Sequence, residues 1–233
     1  MKIIAHRCGT DRYPELTVAA ARHSLAAGAA YVEMDVRFTA DGVPVIHHDD
    51  TAAGLFGDPR RIAEMTLPEF LALRRQSDPA FCSHTMEDFL RCGVRQILYH
   101  VKQGGARLQP LLDLCRRYGC EEQIVLGLTS AEDIRYAREH SGAAILAFLP
   151  APERIAEFAA AGADAIRLWE SWLAPETIRA VRQTGKELWI MAKAPGQAVG
   201  YTAPETLLFW RDEWGADGVL LNEVRPALAL LHA

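Results

Sequence analysis

The chain has 233 residues, half of them hydrophobic, and a formal net charge of −5 with histidine neutral. That length suits one large α/β domain with an extended core. The acidic balance and the lack of any Lys/Arg run that would form a phosphate-tracking stripe argue against nucleic acid as a partner. Arg60-Arg61, Arg74-Arg75 and Arg116-Arg117 are isolated pairs that read as solvated positions. No stretch has the length of a membrane span. The five cysteines are odd in number and lack Cys-x-x-Cys spacing, which reads as reduced thiols in a cytoplasmic protein. The apolar run at Ile3 is too short for a secretory leader and meets His6-Arg7 at once.

Short apolar strands are expected at residues 2–7, 31–37, 97–102, 123–128, 144–149, 165–169, 187–193 and 218–222, with helices near 15–27, 67–75, 85–92, 107–118, 130–140, 152–161, 175–184 and 203–214. The punctuation repeats. Gly28-Ala29-Ala30, Gly162-Ala163-Asp164 and Gly215-Ala216-Asp217 each follow an amphipathic run and lead into a strand, as short helix-to-strand connections do. Thr66, Thr85 and Ser130 stand where N-caps belong. Strand and helix alternating eight times read as a (β/α)8 TIM barrel spanning residues 1–233 as a single domain.

A ninth strand, Val43–His47, lies outside that alternation. Only Thr39-Ala40-Asp41-Gly42 separates it from the second strand. A parallel crossover needs a dozen residues or more, so the pair must be antiparallel, with Asp41-Gly42 as its turn. It reads as a hairpin arm after the second strand, reaching over the barrel mouth and carrying His48 there. Residues 49–66 read as a loop.

Chemistry gathers at the strand ends, where a barrel places its active site. His6-Arg7 ends the first strand. Glu33 and Asp35 are two apart on the second and so share a face. His100 and Lys102 do the same on the third, Arg167 and Trp169 end the sixth, and Trp189, Met191 and Lys193 lie on the seventh. Two carboxylates on one buried face repel each other unless a cation or proton lies between them. Two flanking histidines add groups whose protons move near neutral pH. Together these are the groups that metal-assisted cleavage of a phosphate ester needs. His47 alternates with His48 and faces away; His23, His84, His140 and His232 read as ordinary helix or tail residues.

On these residues the chain resembles the glycerophosphodiester phosphodiesterases, a metal-dependent (β/α)8 family. That family opens with a strand and His-Arg-Gly, then Pro-Glu-Asn-Thr; here the stretches are His6-Arg7-Cys8-Gly9 and Pro14-Glu15-Leu16-Thr17. It continues with Glu-x-Asp-Val, Thr-x-Asp-Gly and a strand closing on His-Asp, matched by Glu33-Met34-Asp35-Val36, Thr39-Ala40-Asp41-Gly42 and His48-Asp49. The resemblance implies His6 and His48 as the acid–base pair, Glu33 and Asp35 as metal ligands, and Arg7 as a phosphate-binding residue supported by Glu15. It implies a small phosphodiester as substrate and Mg²⁺ or Ca²⁺ as the metal. Lys102, Lys193 and Trp169 are expected on the substrate and phosphate side of the mouth.

Departures from the family fall on later strands. The third-strand Glu-x-Lys is His100-Val101-Lys102, Trp-Thr-x-Asn aligns with Met191-Ala192-Lys193-Ala194, and the closing Thr-Asp is Leu221-Asn222. His100 is then either a neutral imidazole in the place of the lost glutamate, which suits Mn²⁺ or Zn²⁺ better, or an imidazolium standing in for the cation. The neutral ligand is the favoured of the two, because Lys102 already brings a positive charge to that face. Besides a phosphodiesterase, the substitutions leave open a barrel that binds a phosphorylated ligand without cleaving it. A lyase or isomerase using Lys102 or Lys193 as base is a third reading.

Overall fold

The computed structural model describes Met1–Leu231; His232 lies outside the described residues. In chain order the elements are β1 (Lys2–Ala5), α1 (Val18–Ala27), β2 (Tyr31–Phe38), β3 (Pro44–Ile46), α2 (Ala53–Phe56), α3 (Leu67–Leu71), β4 (His84–Thr85), α4 (Met86–Arg91), β5 (Ile97–Val101) and α5 (Leu108–Arg117). They continue with β6 (Ile124–Leu128), α6 (Ala131–His140), β7 (Ala144–Phe148), α7 (Ile155–Ala160), β8 (Ala165–Trp169), α8 (Pro175–Gln183), β9 (Glu187–Met191), α9 (Pro204–Asp212), β10 (Gly218–Leu221) and α10 (Val224–Leu231).

Eight parallel strands close into a barrel. β2 pairs with β5, the ladder runs on through β6 to β10, and β1 seals it by pairing with β10 and β2. All eight expected barrel strands form. Along each, the residues alternate between two cores. On β2, Val32, Met34 and Val36 join the layer under the helices, and on β8 Ile166 and Leu168 do the same. The opposite faces fill the barrel. Ile4, Leu98, Val125, Leu146, Trp189 and Leu220 form an apolar plug, above which the inward residues become polar.

The hairpin arm forms as expected. Val36 faces Ile46 and Phe38 faces Pro44 in an antiparallel ladder. β1 pairs no further along β2 than Val32. The edge of β2 beyond that residue would stand open, and β3 takes it. The arm carries its own small core of Val45, Ala52, Ile62, Met65 and Phe70. His47 is buried there, stacked on Phe56 at 5.6 Å with its Nε2 bonded to the Thr51 carbonyl at 2.9 Å.

Three features depart from expectation. Residues 49–66 are not wholly irregular, since they hold α2 and a 3-10 turn at Ile62–Glu64. β4 adds a two-residue rung to β3, too short to show alternation, and its Thr85 also caps α4 by accepting from Asp88 N at 3.1 Å. α10 follows the last strand and packs on β1 and α1. Pro226 lies in its first turn, where a missing N–H costs no helical bond.

The Gly-Ala-Asp connections do more than end helices. Asp164 accepts from the Ile145 N–H and Asp217 from the Leu188 N–H, each at 2.8 Å, so each carboxylate ties its strand to a neighbour's first rungs. Asp217→Ala should leave the Leu188 N–H short of its partner. The expected cost is about 1–2 kcal/mol in chemical denaturation, with kinetic constants unchanged because the bond lies at the strand N-termini, opposite the mouth.

Candidate active site

At the C-terminal ends of the strands a cavity of about 240 Å³ opens, with His6, Glu33, Asp35, His48, His100 and Lys102 in its wall. A larger cavity of about 440 Å³ lies between residues 200–204, α9 and α10. Its wall is mostly apolar, with Leu207, Leu221, Pro226 and Leu230 around Glu223 as the one charged group, and it gathers no reactive cluster.

Strand register builds the centre. β2 and β5 pair Asp35 with His100, and Glu33 lies two residues before Asp35 on the same inward face. Both carboxylates are 1% exposed, which makes their ionisation a matter of partners rather than solvent. His100 Nδ1 lies 3.0 Å from Asp35 Oδ1 and 3.8 Å from Glu33 Oε1. Lys102 Nζ lies 2.8 Å from Asp35 Oδ1 and 3.0 Å from His100 Nδ1.

The two carboxylates are driven apart. Burial and the charge of Asp35 push Glu33 up to about 8, although the Arg7 backbone N–H donates to its Oε2 at 2.8 Å. Burial also opposes ionisation of Asp35, but the His100 hydrogen bond and the Lys102 ammonium outweigh it and hold that carboxyl below the usual range. Burial pulls the His100 imidazole down to about 4; its bond to Asp35 opposes this and Lys102 adds to it. His100 is therefore neutral at pH 7, which favours the ligand alternative over the imidazolium.

His100 is held by an aromatic stack. Phe148 lies on its ring, centroids 4.0 Å apart and planes 19° from parallel. Gly127, between them in the sheet, makes room: a Cβ there would stand 2.6 Å from Phe148 Cε2.

The two histidines expected as acid and base approach from different elements. His6 follows β1 in a tight turn whose next residues, Arg7 and Cys8, take φ of 48° and 70°. Its Nδ1 donates to Asn222 Oδ1 at 2.7 Å. The direction is fixed from the far side, because Asn222 Nδ2 donates to the Val199 carbonyl at 2.8 Å and leaves Oδ1 as the acceptor. Burial lowers the His6 pKa to about 4, partly offset by the Asn222 bond. A neutral ring with Nδ1 protonated has a free lone pair on Nε2. His48 comes from the arm, half-buried, with Nδ1 bonded to Asp49 Oδ1 at 2.7 Å and its carbonyl accepting from Arg37 Nε at 2.9 Å.

Arg7 lines the cavity and pairs with Glu15 at 3.2 Å, and Trp169 also lines it. Lys193 does not join the wall. β9 ends at Met191, and Lys193 is exposed in the segment beyond it, held by its backbone N–H to Glu170 Oε2 at 2.7 Å. Two further residues take part. Asn222 orients His6, and Arg167 lines the cavity beneath Trp169. Arg167 was legible as an inward residue of its strand; nothing in the sequence marked Asn222 as the partner of a residue 216 positions away.

The donor set fits a divalent cation. Glu33, Asp35 and His100 each offer an atom, all within 4.8 Å of one another. Asp35 Oδ2 is buried and finds no hydrogen-bond partner among the described residues. A doubly charged ion would satisfy that oxygen and remove the reason for Glu33 to keep its proton.

The profile of the Glycerophosphoryl diester phosphodiesterase family matches residues 6–103, the span holding His6, Arg7, Glu15, Glu33, Asp35, His48, His100 and Lys102. Over that stretch, a little over two fifths of its length, the chain is similar to that family. It is 38% identical over 104 residues to glycerophosphodiester phosphodiesterase 1 of Bos taurus, covering 42% of this chain and 30% of the relative. It is 35% identical over 71 residues to a glycerophosphodiester phosphodiesterase of Caldanaerobacter subterraneus, covering 30% of this chain and 29% of that one. The matched stretch thus spans about a third of each relative's own length. The fold extends much further. A glycerophosphodiester phosphodiesterase structure from Agrobacterium tumefaciens superposes with a TM-score of 0.74 at 23% identity, over 98% of this chain and 99% of that one. An Oleispira antarctica phosphodiesterase, in complex with its product sn-glycerol-3-phosphate, superposes with a TM-score of 0.81 at 16% identity, over 100% and 97%.

Binding of a divalent cation should displace the Glu33 proton. Calorimetric titration with Mn²⁺ or Mg²⁺ at pH 7, in buffers of different ionisation enthalpy, is expected to show close to one proton released per ion. The number should fall toward zero above pH 8, where Glu33 is already ionised.

Proposed function

We propose that the protein is a divalent-metal phosphodiester hydrolase acting on a glycerophosphodiester or a related small phosphodiester. The observation that carries this is the pairing of two histidines in one cavity with the buried carboxylate pair, each histidine engaged through Nδ1. Engagement at Nδ1 points the reactive nitrogen, Nε2, away from the supporting residue.

The two are not equivalent. His6 is neutral and bonded to an uncharged amide, so it suits the base that takes a proton from the attacking hydroxyl or water. His48 lies against Asp49, whose carboxyl its hydrogen bond holds below the usual range. With its Nδ1 held by that carboxylate and Nε2 left free, His48 suits the acid that protonates the departing alkoxide. Arg7, oriented by Glu15, and Lys102 supply positive charge for the nonbridging phosphoryl oxygens. A divalent ion bound by Glu33, Asp35 and His100 would neutralise further phosphoryl charge as a Lewis acid. Similarity to relatives named for glycerophosphodiesters supports that substrate class, and the cysteine usage supports a cytoplasmic location. No helix among the described residues is long and apolar enough to cross a membrane. We read residues 1–233 as one domain.

One observation favours a second reading, a barrel that binds a phosphorylated ligand without cleaving it. The Lys102 ammonium already lies between Asp35 and His100, where it substitutes for a metal charge. Assay with Mg²⁺, Ca²⁺, Mn²⁺ and Zn²⁺ against glycerophosphocholine, glycerophosphoinositol and an aryl phosphodiester separates the two. The hydrolase reading expects metal-dependent turnover on at least one diester; its absence on all, with phosphate stabilising the fold in the presence of chelator, establishes the binding barrel. His6→Ala and His48→Ala should each slow turnover by about 10²–10⁴-fold, and a variant at wild-type rate removes that histidine from the mechanism.

Asn222→Asp supplies a pH test. A carboxylate beside Nδ1 stabilises the His6 imidazolium and raises its pKa from about 4. A base must be unprotonated to act, so the acid limb of the kcat/KM profile should move to higher pH, while the alkaline limb stays. An unmoved acid limb excludes His6 as the base.

A further inference from the structure

Arg167 is a buried cation that makes no direct ion pair among the described residues, Glu33 being the one carboxylate whose charge reaches it, from beyond ion-pairing distance. It projects from β8 into the barrel and is 4% exposed. Its guanidinium carbon lies 4.8 Å from the Phe148 ring centroid and 4.3 Å from that of Trp169. Nε and Nη1 have no acceptor among the described residues, and no carboxylate oxygen of those residues lies within 4.0 Å of the group. The other cations of the wall are tied down: Arg7 to Glu15 at 3.2 Å and Lys102 to Asp35 at 2.8 Å. An uncompensated buried charge is strongly unfavourable, and a fold retains one where something else supplies the opposite charge.

We propose that Arg167 is an oxyanion-binding residue of the cavity, taking a phosphoryl or carboxylate oxygen of the ligand on the edge of its guanidinium. With two aromatic rings against the group, its hydrogen bonds are directed along its own plane. A planar fork of N–H donors matches the paired oxygens of a phosphoryl or carboxylate group. The same Phe148 ring also lies on His100, so the arginine is positioned by the stack that positions a candidate metal ligand. The proposal rests on the phosphodiesterase reading of this cavity, and extends it from the residues of the first three strands to the sixth barrel strand.

Arg167→Met tests it. Methionine keeps an unbranched chain between Phe148 and Trp169 and removes the charge. Binding of inorganic phosphate to metal-loaded protein, by titration calorimetry well below the melting temperature, should weaken about 10–100-fold, the loss of a charge-assisted bond. The ligand-free variant should melt no lower than the parent, because a buried unpaired charge has gone. Unchanged phosphate affinity removes the phosphoryl oxygen as its partner, and together with unchanged kcat/KM on both esters named below it overturns the proposal, whatever happens to the melting temperature. A lower melting temperature with affinity and both kcat/KM values unchanged shows that Arg167 is a structural pillar instead.

The source of the oxyanion is read from kcat/KM on glycerophosphoserine and glycerophosphoethanolamine. If Arg167 takes the scissile phosphoryl group, Arg167→Met lowers both by the same factor. If it takes a second acidic group, only the serine ester, with its extra carboxylate, declines. Equal rates to wild type on both again overturn the proposal. Failure of wild-type turnover on every diester, with phosphate affinity still dependent on Arg167, would remove the hydrolase reading and leave this one standing.

Discussion

Two carboxylates held 1% exposed on one face of one strand are the constraint around which this molecule is arranged. Glu33 and Asp35 cannot both be ionised in a dry barrel without compensation. Each inward group near them answers that problem. Lys102 neutralises Asp35, the Arg7 backbone N–H holds Glu33, and His100 joins Asp35 from the adjacent strand. The compensation is incomplete. Asp35 Oδ2 finds no partner among the described residues and Glu33 is driven toward its protonated form. A site left short of positive charge in this way is what a divalent cation would complete.

The surroundings serve that centre. To bring its N–H onto Glu33, Arg7 adopts φ of 48°, and Cys8 and Leu16 follow with 70° and 55°. Side-chain-bearing residues enter that left-handed region at a cost. Cys8 and Leu16 stand where the family pattern has Gly and Asn, the two residues that accept such a backbone most easily. The turn is therefore kept in shape with residues other than those two. It is held by Leu16 N–H on the Arg7 carbonyl at 2.9 Å and by Ser24 Oγ on the Cys8 carbonyl at 2.7 Å. His100 is accommodated in the same local way. Gly127 leaves the space in which Phe148 stacks on its ring.

The hairpin arm shows how topology and chemistry are joined. β1 is short, and beyond Val32 the edge of β2 has no barrel partner. β3 pairs with that edge, and the chain leaving it passes across the mouth with His48. A histidine of the cavity wall is thus supplied by the element that closes an open sheet edge, and its backbone is pinned by Arg37, itself on β2.

The sequence by itself determined the eight strands, the antiparallel arm and the central quartet Glu33, Asp35, His100 and Lys102. These follow from local periodicity: residues two apart on a strand share a face, and four spacer residues allow only a hairpin. It also marked His6, His48, Arg7 and Glu15, through short contiguous motifs. Tertiary structure alone decided that Asn222 supports His6, that Phe148 packs on His100, that Arg167 lies beneath Trp169 with no ion pair among the described residues, and that Lys193 is outside the cavity. Those outcomes depend on how strands distant in sequence are staggered around a closed barrel and where each one stops. β9 ending at Met191 turns Lys193 to solvent, and the pairing of β1 with β10 brings residue 222 to residue 6. Periodicity along one strand fixes a side chain's face; only closure of the sheet fixes its neighbours.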